Sequence, residues 1–240
     1  MLSRIIVAAL FFVQCCLSET SASIQDPACD TQVLSIISAN FEYAQSTPSD
    51  INEHMPLIYK YAFGAAHATE IGVRGVVSSW AFLKAGVDRL SEGMEFTFRA
   101  SDISKTGAAD DLDRLMQRCP LMNYSFVEGD DLVIEQWSTD VLMIDTWHTY
   151  RQLASELERW APYVNQYILL HDTELFGDTD EGVVGHGGKE VDESLFSALQ
   201  GTSAVGLWPA VEQFIAANPA WSIQERRQNN NGLTVLGKRW

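Results

Sequence analysis

The sequence predicts an α/β fold: a mostly parallel sheet of seven strands with helices on both faces, ended by a C-terminal antiparallel hairpin. Three observations predict it. From residue 65 onward, short strand-like apolar runs alternate with segments of helical apolar spacing. Residues 221–240, WSIQERRQNNNGLTVLGKRW, depart from that alternation and read as two strands about a polar turn at Asn229 to Gly232. A length of 240 residues, 46% hydrophobic, suits one globular domain with a full core plus appendages.

The elements follow in order. MLSRIIVAALFFVQCCLSETSAS has Arg4, then an apolar stretch from Ile5 to Leu17, then small polar residues. That is the anatomy of a cleavable secretory signal over residues 1–23, and the stretch is short for a bilayer span. It predicts a secreted protein or one retained in the secretory pathway. Residues 24–62 form a helical leader: TQVLSIISANFEYAQ has helical apolar spacing, and STPSD is a break with a helix cap. The main domain occupies residues 63–240. In it HATEIGV, MEFTFRA, YSFVEG, DVLMID and QYILLHD are strands. Between and after them, VVSSWAFLKAGVDRL, AADDLDRLMQRC, TYRQLASELERWAPYV and LWPAVEQFIAANP are helices. No later segment is long and apolar enough to span a membrane. Residues 177–206 are rich in Gly, Asp and Glu, without periodicity; a loop that long, directly after the fifth strand, predicts a lid.

A net charge of -16 argues against nucleic acid and anionic membranes as partners. Cys15 and Cys16 leave with the signal; Cys29 and Cys119 are either a bridge, in an oxidising compartment, or two free thiols.

Candidate chemistry lies at the carboxyl ends of the strands, where ligands bind in open α/β sheets. EIGVRG joins the first strand to the first helix; Gly72 and Gly75 permit a tight turn and close approach of a ligand, with the acid Glu70 just before. Asp102 ends the second strand, placed to accept from ribose hydroxyls or to cap the next segment. Asp130 follows the third strand. Asp145 ends the fourth, with Trp147, His148 and Tyr150 after it, and His171 and Asp172 end the fifth. Two carboxylates in one crevice repel unless protonated or bridged by a cation, and hard oxygen ligands suit Mg²⁺. His148, beside Asp145, suits a general base. Trp147 and Tyr150 either stack on a ring or pack the helix start.

EIGVRG resembles the first motif of Rossmann-like S-adenosylmethionine methyltransferases, although two residues here separate the glycines. The resemblance implies that Glu70, Gly72 and Gly75 serve the cofactor's amino-acid end and glycine loop, Asp102 its ribose, and Asp130 its adenine. IDTWHTY, LLHDTELFG, GLWPAVEQFIAANPAW and NNNGLTVL, in that order, resemble the family labelled cephalosporin hydroxylase, which includes metal-dependent sugar O-methyltransferases. That resemblance implies Mg²⁺ held by Asp145 and Asp172, with His171 as a third ligand, and His148 as the base. The expected activity is methyl transfer from S-adenosylmethionine to a hydroxyl of a small molecule or glycan. Two other readings stand beside it: a non-catalytic secreted relative that keeps the fold for binding, and a metal-dependent hydroxylase using two histidines and a carboxylate. The acceptor and the oligomeric state, a homo-oligomer included, are left open.

Overall fold

The computed structural model describes residues 29–182 and 190–239; the signal reading and the middle of the lid lie outside these residues. Seven strands form one sheet: β1 (His67–Ile71), β2 (Thr97–Asp102), β3 (Asn123–Glu128), β4 (Thr139–Ile144), β5 (Val164–His171), β6 (Trp221–Arg227) and β7 (Leu233–Lys238), in the order β3-β2-β1-β4-β5-β7-β6. The first five run parallel, and β7 inserts antiparallel between β5 and β6. The expected architecture is therefore the observed one.

Strand alternation assigns each side chain to one of two cores. Val141 and Met143 of β4 face a layer built from α1 (Thr31–Ser46), α2 (Met55–Phe63), α3 (Ser79–Ser91) and α4 (Gly107–Met116). Leu142 and Ile144 face the other layer, made by α5 (Tyr150–Trp160) and α6 (Leu207–Ala217). A continuous apolar run at β4 is thus a strand buried on both faces. Helix starts are fixed by side-chain caps: Asp30 accepts from Gln32 N, Thr106 from Ala109 N and Thr149 from Gln152 N. Among the described residues, no helix is long and apolar enough to cross a membrane.

Cys29 and Cys119 are joined in a disulfide. Beside it Asp30 N donates to Arg118 O, and the Arg118 guanidinium pairs with the Asp30 carboxylate. The start of α1 is thereby tied to the end of α4.

The strand order places the site. The chain leaves β1 toward β2 on one side and returns to β4 on the other, which opens a crevice at the carboxyl ends of β1 and β4. β4 and β5 are direct neighbours, so their last residues share that crevice.

Candidate active site

The floor of the crevice is a contact between two backbones. Gly72 (φ 85°) follows β1, and a Cβ there would stand 2.0 Å from Asp145 O. Only glycine allows that approach. Asp145 N in turn donates to Ile71 O at 3.0 Å. The loop after Gly72 turns at residues the sequence did not single out: Arg74 (φ 37°) and Val76 (φ 56°) are left-handed. Gly75 does not have positive φ, and a Cβ there would meet nothing closer than Val77 at 3.9 Å. The expected role of Gly75 in the tight turn thus falls to its two neighbours. Left-handed conformations in non-glycine residues are costly and persist only when held from outside. Asp102 supplies the hold: its Oδ2 accepts from Val73 N at 2.9 Å and Arg74 N at 2.8 Å, and its Oδ1 from Ser104 N at 3.0 Å.

Glu70 is 0% exposed, and its two oxygens accept from the Ser78 and Ser79 hydroxyls at the start of α3. Burial, with Asp145 and Asp102 nearby, pushes its pKa up to about 8 despite the serine hydrogen bonds. The acid therefore braces the loop from below. Asp130 Oδ1 accepts from Leu132 N at 2.9 Å and caps the turn after β3.

Above this floor, side chains from two strand ends and the loop after β5 meet. Donor atoms of Asp145, His148 and Asp172 all lie within 4.8 Å of one another. His148 Nε2 stands 3.2 Å from Asp145 Oδ1 and 3.2 Å from Asp172 Oδ2. His171 Nδ1 stands 3.2 Å from Asp145 Oδ1 and 3.6 Å from Asp172 Oδ1, while its Nε2 faces Asp50 O at 3.1 Å. Asp172 itself is left-handed (φ 57°), and its Oδ1 is buried without a hydrogen-bond partner among the described residues.

The electrostatics follow from this crowding. Burial works against ionising Asp145, but His171 and His148 outweigh it and hold the carboxyl well below the usual carboxylate range. Burial pushes Asp172 above its ordinary value. Burial also opposes charge on the two imidazoles, yet Asp145 and Glu181 lift His148 to about 10, and Asp145 and Asp172 lift His171 to about 8. The acids around the two imidazoles favour the charged form of each ring.

Several residues at the site are not evident from sequence. Glu181, in the loop after β5, accepts from His148 Nδ1 at 2.9 Å. Its only sequence mark is being one acid in an aperiodic acidic loop. Phe176 stacks on the His148 ring at 5.0 Å between centroids. Asp180 Oδ1 accepts from Tyr150 N and Gly206 N, both at 2.7 Å, pinning the loop after β5 to the starts of α5 and α6. Arg151 pairs with Glu193 and lies over the Trp147 and Phe196 rings, which ties residues 193–196 to α5. Trp147 is buried and donates from Nε1 to Gly182 O at 3.1 Å, and buried Tyr150 packs the start of α5.

No family model and no curated protein matches the chain. Solved structures do match it. The O-methyltransferase TomG of Streptomyces achromogenes, in complex with SAM, aligns with TM-score 0.54 at 11% identity over 89% of this chain and 92% of its own. The O-methyltransferase from Bacillus cereus, in complex with SAH, aligns with TM-score 0.50 at 14% identity over 88% and 92%. The SAH-bound methyltransferase PaMTH1 of Podospora anserina aligns with TM-score 0.50 at 12% identity over 98% and 99%. The likeness is one of fold. The chain has the Rossmann-like architecture of these methyltransferases, and its Gly72 loop, Asp102 and Asp145 sit at the carboxyl ends of that fold's first, second and fourth strands.

Proposed function

We propose that the protein is a methyltransferase that moves a methyl group from S-adenosylmethionine to a hydroxyl of a small molecule or sugar, with a divalent cation assisting. The observation that carries the reading is the convergence of Asp145, His148 and Asp172 beside the Gly72 loop, in a fold shared with SAM- and SAH-bound methyltransferases. The donor set fits a hard divalent cation: two carboxylates meet, and one buried oxygen of Asp172 has no hydrogen-bond partner among the described residues. Asp145 and Asp172 would hold it, with His171 Nδ1 as the adjoining donor. Such a cation, when bound, lowers the pKa of an acceptor hydroxyl and fixes its oxygen.

The chain's own residues do the rest. Glu181 accepts from His148 Nδ1–H, and a cation held by Asp145 and Asp172 would take over the charge that favours a proton on Nε2, leaving a neutral imidazole with its Nε2 lone pair free. From there Nε2 accepts the hydroxyl proton as the oxygen attacks the sulfonium methyl. The Gly72 loop leaves backbone room for the cofactor, and Asp102, at the end of β2, fixes that loop and lies where ribose hydroxyls bind in this kind of fold. The narrower kinship with the cephalosporin hydroxylase family is carried by the ordered motifs of the last hundred or so residues. The Cys29–Cys119 bridge supports an oxidising, secretory setting.

Titration calorimetry with S-adenosylmethionine, with and without Mg²⁺, tests the reading. Cofactor binding in both conditions, followed by Mg²⁺-dependent methyl uptake in an acceptor screen, is the expected result. No cofactor binding in either condition overturns it.

A further inference from the structure

Residues 47–54 connect α1 to α2, and none of them carries a role in the proposed chemistry. Yet this segment reaches across the sheet to the hairpin turn at Asn229–Gly232. His54 is 2% exposed, and its Nε2 faces two carbonyls, Asn229 O at 3.0 Å and Asn230 O at 3.1 Å. Both partners are acceptors, so Nε2 carries the hydrogen and donates to the pair. Three further bonds join the same two segments. Glu53 N donates to Asn230 Oδ1 at 3.0 Å, Asn230 Nδ2 to Ser49 O at 2.6 Å, and Asn229 Nδ2 to the Glu53 carboxylate.

The turn needs such support. Asn230 (φ 49°), Asn231 (φ 65°) and Gly232 (φ 95°) are consecutive left-handed residues, a run that persists only where its surroundings dictate it. On its other side the turn grips the residues after β5. Asn231 O accepts from Glu174 N at 2.9 Å and Leu175 N at 3.0 Å, and a Cβ on Gly232 would stand 2.5 Å from Glu174 N. These two bonds fix the backbone directly after Asp172, whose own carbonyl accepts from Phe176 N at 3.0 Å. The same segment touches the preceding residue too: Asp50 O meets His171 Nε2 at 3.1 Å, and the His54 and His171 rings pack edge to face at 5.9 Å.

We propose that His54 is a positioning residue for Asp172: by donating to the Asn229 and Asn230 carbonyls it fixes the left-handed turn whose Asn231 carbonyl holds the backbone just after that carboxylate. The inference rests on the cation-assisted reading above. Outer residues that orient a ligand typically change cation affinity 10–100-fold when removed, whereas a purely structural residue changes stability alone.

The test uses Mn²⁺ alone as the probe, with calorimetric titration of wild type, His54→Ala and His54→Gln, and a parallel SAH titration of each. His54→Ala is expected to weaken Mn²⁺ binding roughly 10-fold or more while leaving SAH affinity within about twofold. His54→Gln, whose amide nitrogen can donate from a similar position, is expected to recover most of the loss. Asn230→Ala removes two of the other ties and serves in place of His54→Ala should that variant not fold, by the same criterion. Unchanged Mn²⁺ affinity in the substituted protein, or equal loss of Mn²⁺ and SAH binding, overturns the positioning role alone. A wild type that binds no Mn²⁺ overturns the cation-assisted reading and this inference with it.

Discussion

Glu181 and His148 are joined three times: Glu181 N donates to His148 O at 2.8 Å, His148 N to Glu181 Oε2 at 3.2 Å, and the imidazole Nδ1 meets the same oxygen at 2.9 Å. The loop after β5 and the proposed base therefore form one unit.

The Glu181 carboxylate stabilises an imidazolium at His148, so removing its charge lowers the His148 pKa from about 10. Glu181→Gln is predicted to move the His148 ring-proton titration, followed by NMR in cation-free protein, to lower pH. Turnover should fall by roughly 10–100-fold, with S-adenosylmethionine affinity unchanged. A titration identical to wild type would remove Glu181 from this role.

Asp172 is a buried carboxylate, one oxygen of which accepts no hydrogen bond from the described residues, a costly arrangement unless a cation relieves it. Asp172→Asn is predicted to be at least as stable as the wild type without added metal. It should lose the Mg²⁺-dependent rise in melting temperature, which in the wild type corresponds to about 2.7 kcal/mol at one hundred times the Kd. Thermal melts across a Mg²⁺ series measure both. A variant that Mg²⁺ stabilises as much as the wild type would show that Asp172 is no ligand.

Gly72 has both a left-handed φ and no room for a Cβ, because Asp145 O lies 2.0 Å from where one would be. Gly72→Ala must push β1 and β4 apart at the crevice. The expected loss is about 1–3 kcal/mol from backbone strain, more from the clash, together with cofactor binding. Gly75→Ala, where a Cβ meets only Val77 at 3.9 Å, should be close to neutral in urea unfolding. Equal losses at the two glycines would contradict the loop geometry.

Glu70 has a folded-state pKa of about 8, above its ordinary 4.5, so the folded protein binds the proton more tightly than the unfolded chain. Stability from this group is therefore full below pH 4.5 and declines as pH rises toward 8. Glu70→Gln cannot ionise. Its stability relative to the wild type is predicted to improve between pH 5 and 8, by no more than about 1.4 kcal/mol per pH unit. Urea unfolding of both proteins at the two ends checks it. A constant difference would mean that Glu70 stays ionised throughout.

The sequence shows the fold because strand and helix periodicities differ and alternate cleanly from His67 onward. It shows Asp145 and Asp172 because each closes an apolar run, and the carboxyl ends of such runs face the crevice. It does not show that Glu70 turns under the loop, since spacing reveals a residue's position and not the hydroxyls that receive it. Nor does it show the pairing of His54 with Asn229 and Asn230. That contact spans 175 residues and depends on β7 inserting between β5 and β6, which local pattern cannot dictate. The left-handed Val76 was hidden because a β-branched residue is a poor candidate for such a turn.

The insertion of β7 beside β5 has a consequence for biosynthesis. The ribosome makes residues 47–54 well before the asparagine turn, yet each holds the other in place. A nascent polypeptide halted before residue 229 has Asp145 and Asp172 but lacks the turn that grips the backbone after the second of them. The proposed cation site is thus complete only once that turn has emerged.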